Sequence, residues 1–211
     1  MSTVVSVIAI IAIGYFLGSI PTAQIMMRLF RKQDLRKVGT GSVTSTAVMI
    51  HGGKVAGSLS LLGEIIKTFV CLYITYLIVG ELWAYLLMLV AASVGQIWSI
   101  WLGGAGGRGQ TIFVIGFLIL CPVPFLLSVA CLGLLLFATK RFFLSNQIWH
   151  LIAPPIMLLA MRFNPTIFGA GELSWGYAAT GVALCTFFLI KNRISTDDIV
   201  QSQAWGTYSR Y

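Results

Sequence analysis

Acidic side chains are almost missing from this sequence. Asp and Glu number 6 in 211 residues, and charged residues of both signs make up 9%, where a soluble domain carries roughly 25%. That shortage excludes a sizeable soluble domain. Histidine is equally scarce, with 2 in the chain, and the spacing of His51 and His150 makes no catalytic set. His51 reads as a solvated residue at a loop–helix boundary, and His150 as an interior hydrogen-bonding residue. The four cysteines, Cys71, Cys121, Cys131 and Cys185, all fall in apolar runs. They have neither zinc-site spacing nor a disulfide framework, so they read as small buried hydrophobes. Heptads, low-complexity tracts and internal repeats are missing too. The net charge of +8 comes with no nucleic-acid-binding motif, so nucleic acid is not expected as a partner. Anionic lipid head groups and phosphorylated substrates suit that charge better.

What the chain has in quantity is apolar surface: 58% hydrophobic residues and a mean hydropathy of +0.91. These values predict an integral membrane protein, all-α, a polytopic transmembrane helix bundle forming one domain over residues 1–211. The first apolar run, Val4 to Leu17, has no basic residue before it and no clear small-residue cleavage site, so a retained helix is expected rather than a signal peptide. About 20 residues are needed per crossing, and apolar segments are marked at 3–17, 55–79, 82–102, 110–120, 125–139, 147–162 and up to about 190. That gives about seven spans, some short; five full crossings plus broken or re-entrant pieces is the alternative. An amphipathic piece from Thr22 to Phe30 follows the break at Gly18-Ser19-Ile20-Pro21. Gly80-Glu81 and Cys121-Pro-Val-Pro124 are read as turns on the opposite side from the basic loops.

Basic residues concentrate in the loops of one side. Arg28, Arg31, Lys32, Arg36, Lys37 and Lys54 face a single acid, Asp34. The positive-inside rule puts that segment in the cytoplasm, with the N-terminus outside and the C-terminus cytoplasmic. Of the Lys and Arg residues, only Arg162 and Lys67 fall elsewhere. Trp98, Trp101, Trp149, Trp175 and Trp205 lie near expected span ends, as interface belts do.

Three internal segments are suited to phosphate. Asp34 to Thr46 alternates cations, glycines and hydroxyls: Arg36, Lys37, Gly39, Thr40, Gly41, Ser42, Thr44, Ser45 and Thr46. Glycines bring backbone N–H groups close to an anion, and cations supply the countercharge. A polar connector obeying the positive-inside rule would have a similar composition. Gly106-Gly107-Arg108-Gly109 precedes an expected helix, whose N-terminus favours an anion, and Arg108 can fork onto two phosphate oxygens. The bland alternative is a glycine-rich turn with one arginine. The third segment, 140–147, holds Lys140, Arg141 and Ser145. Within the second span, Glu64 and Lys67 share a helix face. An isolated charge there would be costly, so they are expected to pair, either at a functional site or as a structural ion pair.

The order Gly18-Ser-Ile-Pro21, Asp34-Leu-Arg36, Gly39-Thr-Gly-Ser42, Glu64-Ile-Ile-Lys67, Gly95 and Gly106-Gly-Arg-Gly109 resembles the bacterial acyl-phosphate:glycerol-3-phosphate acyltransferases of the PlsY type. The likeness is collinear over nearly the whole chain. Several motifs depart from the family's pattern. Its Gly-Ser-Gly-Asn reads Gly39-Thr40-Gly41-Ser42, its Asp-x-x-Lys-Gly reads Glu64-Ile-Ile-Lys67-Thr68, and its Gly-His reads Gly95-Gln96. Lys-Gly-Gly-Lys-Gly becomes Ala105-Gly-Gly-Arg108-Gly, a serine aligns with Leu144 beside Ser145, and His-Arg-x-Asn aligns with Asn192-Arg193-Ile194-Ser195.

The resemblance implies a multi-pass enzyme of the bacterial inner (plasma) membrane with its active site facing the cytoplasm. It would move a fatty acyl group from acyl phosphate to the 1-hydroxyl of glycerol 3-phosphate, making lysophosphatidic acid, without metal or other cofactor. Its expected partners are those two substrates, membrane lipid and the enzyme that makes acyl phosphate. Expected catalytic residues are Arg36, Thr40, Lys67, Arg108 and Ser145; expected phosphate-binding residues are Ser19, Gly39, Gly41, Ser42, Gly106, Gly107, Gly109 and Arg193. For the general base, Asp34 or a substrate phosphate oxygen is favoured over His51 and Glu64. Two other readings stay open: a non-catalytic relative that binds phosphorylated lipid precursors, and a small transporter using Glu64 and Lys67.

Overall fold

The computed structural model describes residues 3–39, 41–140, 142–163 and 174–193, with side chains described over 144–160 and 175–190 of the last two stretches. They form helices α1 (Thr3–Ser19), α2 (Thr22–Arg31), α3 (Ser45–Gly52), α4 (Lys54–Ile78), α5 (Leu82–Ile97), α6 (Gln110–Leu120), α7 (Pro122–Thr139), α8 (Phe142–Phe163) and α9 (Ser174–Arg193). Single 3-10 turns occupy Leu35–Lys37 and Ile100–Leu102. No strand occurs among the described residues.

Helix α5 is the axis of the bundle, with Ala84, Met88, Leu89 and Ala92 wholly buried. Helix α1 lies along it at backbone contact because both present glycine. A methyl group on Gly18 would strike the carbonyl of Ala92, and one on Gly95 would strike the carbonyl of Tyr15 and come within 2.9 Å of the Ser19 nitrogen. Small residues at such a seam let dispersion and close packing hold helices together where lipid removes the hydrophobic drive between them. One side of this same core is aromatic. Phe113 and Phe117 of α6 pack with ring centroids 4.8 Å apart, and Phe125 of α7 meets Trp149 of α8 edge-on at 6.1 Å. Trp149 is buried without stranding its donor, because Nε1 donates to the Ser128 carbonyl at 2.7 Å. His150 stacks flat on Phe188 of α9 at 3.8 Å, which matches the interior role expected for it.

The outward faces are apolar: Leu134 is 70% and Phe137 85% exposed on α7, and Leu77 63% on α4. Helices satisfy their own backbone polar groups, so such faces are at home in hydrocarbon. Among the described residues, four stretches are long and apolar enough to cross a bilayer: Thr3–Arg31, Lys54–Ile78, Leu82–Leu102 and Pro122–Thr139. Helix α6 has 11 residues.

The boundaries differ from the sequence reading in four places. The turn expected at Cys121–Pro124 shrinks to Cys121 alone, because Pro122 takes the first position of α7, where proline's fixed φ suits a helix and its missing N–H is not needed. Helix α8 begins at Phe142, five residues before the expected start. Helix α5 stops at Ile97 instead of running to Leu102. The stretch 45–52, read as loop, is helix α3, started by Thr44, whose Oγ1 accepts from the Ala47 amide at 3.2 Å.

Helix α2 is amphipathic as expected. Ala23, Gln24 and Met27 are buried. Ile25, Leu29 and Phe30 are exposed, and so are Arg28 and Arg31. An apolar flank beside a basic one is the pattern of helices that lie at a membrane surface.

Candidate functional site

The site forms where α1 breaks into α2. Pro21 has no N–H and cannot continue α1, and the carbonyls freed by the break find a cation. Lys67 Nζ donates to the carbonyls of Gly18 and Ile20, both at 3.1 Å. It also stands 2.7 Å from Glu64 Oε2. Glu64 in turn accepts from the Thr22 hydroxyl and from Gln96 Nε2 at 2.5 Å. The pairing expected of Glu64 and Lys67 is present, and all three ammonium protons are taken. The sequence reading missed Thr22 and Gln96 as partners. The signal was available: a carboxylate inside an apolar span needs several donors, and both residues are isolated polar groups beside helix ends.

Beside this cluster is a small recess. Ser19, Glu64, Gln96, Val43, Gly106 and Gly107 are among its lining residues. Ser19 is wholly buried; its carbonyl accepts from Ser99 Oγ at 2.6 Å, while its own Oγ has no hydrogen-bond partner among the described residues.

The first polar loop and the glycine loop meet at the mouth of the recess. Leu35 N–H donates to Gln24 Oε1 at 2.9 Å, fixing the loop to α2. Asp34 caps the following 3-10 turn, accepting the Arg36 amide at 3.1 Å. The Arg36 guanidinium forks back onto the same carboxylate, with Nε 3.0 Å from Oδ1 and Nη2 2.6 Å from Oδ2. The hydrogen bond from Arg36 holds the half-buried Asp34 carboxyl down to about 2, from an ordinary 3.8, and the carboxylate raises the Arg36 guanidinium in return. Across the gap, Arg36 Nη1 donates to the Leu102 carbonyl at 3.4 Å. Gly107 sits so close to the first loop that a methyl there would lie 2.9 Å from the Val43 carbonyl. The third segment joins at the start of α6, where Gln110 Nε2 donates to Asn146 Oδ1 at 3.1 Å.

Among the expected site residues, Arg36, Ser19, Gly39, Gly41, Ser42, Gly106, Gly107, Arg108 and Gly109 belong to these meeting segments. Gly39, Gly41 and Gly109 have φ of +58°, +75° and +74°, a region open to glycine and strained for other residues. Arg108 is half-buried between its glycines. Two backbone amides expected to cradle an anion are engaged elsewhere: Gly41 N–H donates to Val38 O at 3.1 Å, and Gly107 N–H to Gln96 O at 2.9 Å. The second bond satisfies a carbonyl left open at the end of α5. Ser145 is wholly buried and shares a 2.7 Å hydrogen bond with Thr139 Oγ1, closing the α7–α8 corner. Thr40 lies outside the described residues, as does the side chain of Arg193 at the end of α9.

His51 departs from its expected place in solvent. It is half-buried in the last turn of α3, with its ring against the Gly39 turn: a methyl on Gly39 would lie 2.6 Å from His51 Nε2.

Comparison with known proteins places this architecture. A family model described as glycerol-3-phosphate acyltransferase matches residues 8–201. A glycerol-3-phosphate acyltransferase of Endomicrobium trichonymphae is 33% identical over 74% of this chain and 78% of its own length. One from Bordetella petrii is 29% identical over 86% of this chain and 82% of its own. Among solved structures, the crystal structure of PlsY (YgiH), an integral membrane glycerol 3-phosphate acyltransferase, superposes in its glycerol 3-phosphate form with a TM-score of 0.70. That match covers 98% of this chain and 96% of the other at 19% identity. The fold is therefore that of an integral membrane helix bundle.

Proposed function

This chain belongs to the glycerol-3-phosphate acyltransferase family, and from that premise we propose that it transfers a fatty acyl group from acyl phosphate to the 1-hydroxyl of glycerol 3-phosphate, forming lysophosphatidic acid for phospholipid synthesis. The observation that carries the chemical reading is the meeting of the two polar loops, with Arg36 reaching the Leu102 carbonyl across the gap. Two anionic substrates have to be held together there. Acyl phosphate is a mixed anhydride with a good leaving group, so positioning and charge neutralisation make up much of the task.

Arg36 and Arg108 are assigned to the substrate phosphates. Asp34 orients Arg36 and keeps its fork flat, ready for a second bidentate partner. Gly39, Ser42, Gly106 and Gly109 allow close approach of an anion, and the first turn of α6 presents N–H groups that lack acceptors within the helix. Gly41 and Gly107 act by shape, since their amides are engaged. Ser19 supplies a hydroxyl in the recess, and Thr40 and Arg193 are proposed to complete the donor set, whereas Ser145, wholly buried and bonded to Thr139, holds the α7–α8 corner. Lys67 acts at one remove: with its protons committed to Glu64 and two carbonyls, it holds the α1–α2 break in shape and does not touch substrate. The acyl tail lies between helices. The basic loops favour the bacterial inner (plasma) membrane with the site facing the cytoplasm. The enzyme that makes acyl phosphate is then a natural partner on the same side.

The test is acyl transfer from palmitoyl phosphate to glycerol 3-phosphate by the purified, folded protein. Lysophosphatidic acid above background is the expected product. None in a well-folded sample ends the enzymatic reading, and retained binding of glycerol 3-phosphate in that sample would favour a non-catalytic relative.

A further inference from the structure

Helix α2 touches the site and the outside of the bundle at once. At its first residue, the Thr22 hydroxyl donates to Glu64 beside the recess. Two residues on, the buried Gln24 accepts the Leu35 amide at 2.9 Å and so holds the loop that carries Arg36. At its last residue, Arg31 Nε donates to the Gly52 carbonyl at 3.2 Å, just ahead of α4. The far end of α2 therefore stands beside the head of α4. Helix α4 is long and apolar enough to cross a bilayer, which puts this corner at the level of lipid head groups.

Cations collect there without counter-ions. Arg28, Arg31 and Lys32 end α2, Lys54 opens α4, and all four are exposed. Arg28, Lys32 and Lys54 make no hydrogen bond or ion pair with another described residue. The acid that feels Arg28, Asp34, is already held by Arg36. The same corner is apolar as well: Leu29 is 68% and Val55 66% exposed, and Phe30 is exposed beside Arg31. A soluble anion would use the charges and leave those side chains bare. An amphiphile with a phosphate head uses both, its phosphate on the cations and its acyl chains along the apolar side chains.

We propose that the cations at the end of α2 and the head of α4 form a site for an anionic glycerophospholipid of the bilayer, and that its occupation steadies the loop that carries Arg36. The lipid site stands on its own geometry; its effect on turnover rests on the acyl-transfer reading above. Arg28 precedes Arg31 by three residues and Lys32 by four, a spacing at which like charges on a helix repel. A lipid phosphate bound between them removes that repulsion and holds the end of α2 in place. The effect then passes along α2 to Gln24, whose hydrogen bond fixes Leu35, next to Arg36.

The experiment compares the wild type with the double variant Arg28→Gln, Lys32→Gln in nanodiscs of phosphatidylcholine, with and without phosphatidylglycerol. Retained lipid is read by native mass spectrometry, and hydrogen exchange is followed at the Leu35 amide. The wild type is expected to retain phosphatidylglycerol in preference to phosphatidylcholine and to exchange more slowly at Leu35 when it is present. Its transfer from palmitoyl phosphate to glycerol 3-phosphate should rise in parallel. The variant should lose roughly fivefold in that preference for each cation removed and show neither response, while matching the wild type in phosphatidylcholine alone. Equal retention of the two lipids, a preference unchanged in the variant, or Leu35 exchange indifferent to phosphatidylglycerol overturns the proposal. So does displacement of the lipid by inorganic phosphate but not by chloride of equal ionic strength, which would assign the cations to a soluble anion. Any of these leaves the acyl-transfer reading standing. A wild type that makes no lysophosphatidic acid ends that reading, and retention and exchange still decide the lipid site.

Discussion

Lys67 Nζ stands 2.7 Å from Glu64 Oε2, one turn apart on α4, with each side chain 5% exposed. Two carbonyls at the α1–α2 break share the same ammonium, so the pair ties three helical segments at one point. Breaking a buried pair from one side strands a charge and costs about 3–5 kcal/mol, whereas replacing both members by apolar groups can be close to neutral. Lys67→Met is therefore expected to lower the thermal unfolding midpoint in detergent strongly. Glu64→Leu combined with Lys67→Met should regain only part of that loss, because the Gly18 and Ile20 carbonyls, Thr22 and Gln96 lose their partners too; a double variant as unstable as the single one would count against the stranded charge as a cause.

Arg36 and Arg108 are predicted to act on substrate. A charged hydrogen bond is worth roughly 1.5–3 kcal/mol, so Arg36→Ala and Arg108→Ala should each reduce turnover at least tenfold without lowering the unfolding midpoint much. Wild-type rates in both would refute the assignment.

Glycine at the α1–α5 seam is a steric requirement. Gly18→Val puts a side chain into the Ala92 carbonyl and is expected to destabilise by about 1–3 kcal/mol or more. Gly133→Ala on α7 is the matched control, because nothing lies within 4 Å of the added methyl; there the substitution should be neutral or stabilising by up to about 1 kcal/mol. Equal unfolding midpoints for the two variants would exclude the seam as a packing contact.

Asp34 gives a pH signature. Its carboxyl is depressed from 3.8 to about 2, so its contribution is complete above about 4 and fades as pH falls toward about 2. Hydrogen exchange at the Arg36 amide, which Asp34 Oδ1 accepts, should lose protection across that window. In Asp34→Ala protection should be low throughout. Protection unchanged from pH 5 to pH 2 in the wild type would contradict the ion-pair geometry.

The membrane class, the apolar segments and the two polar loops were legible because they are written in composition and run length. The pairing of Glu64 with Lys67 was legible because hydrocarbon leaves such groups little choice. The boundary at Pro122 was missed because proline was taken as a terminator, whereas at a first helical position it is a starter; the one at Phe142 was missed because the polar run 140–147 was taken as loop. Helix α3 was missed because Ser45 and Thr46 look like loop, although Thr44 is its cap. His51 could not be placed from sequence: its neighbour, Gly39, is brought to it by the fold and not by any periodicity. The engaged amides of Gly41 and Gly107 were hidden for a related reason, since a glycine-rich run does not disclose which N–H groups the loop uses for itself.

Helix α6 has 11 residues, which at 1.5 Å each is about 16 Å against a hydrocarbon layer of about 30 Å. Its two ends cannot lie at opposite surfaces, so at least one sits well beneath the head groups, where non-helical backbone survives only when walled in by protein. A helix this short brings the aqueous phase and the lipid interior closer together at the spot where the glycine loop ends. A water-soluble acceptor and an oily donor can then meet with neither leaving its own phase.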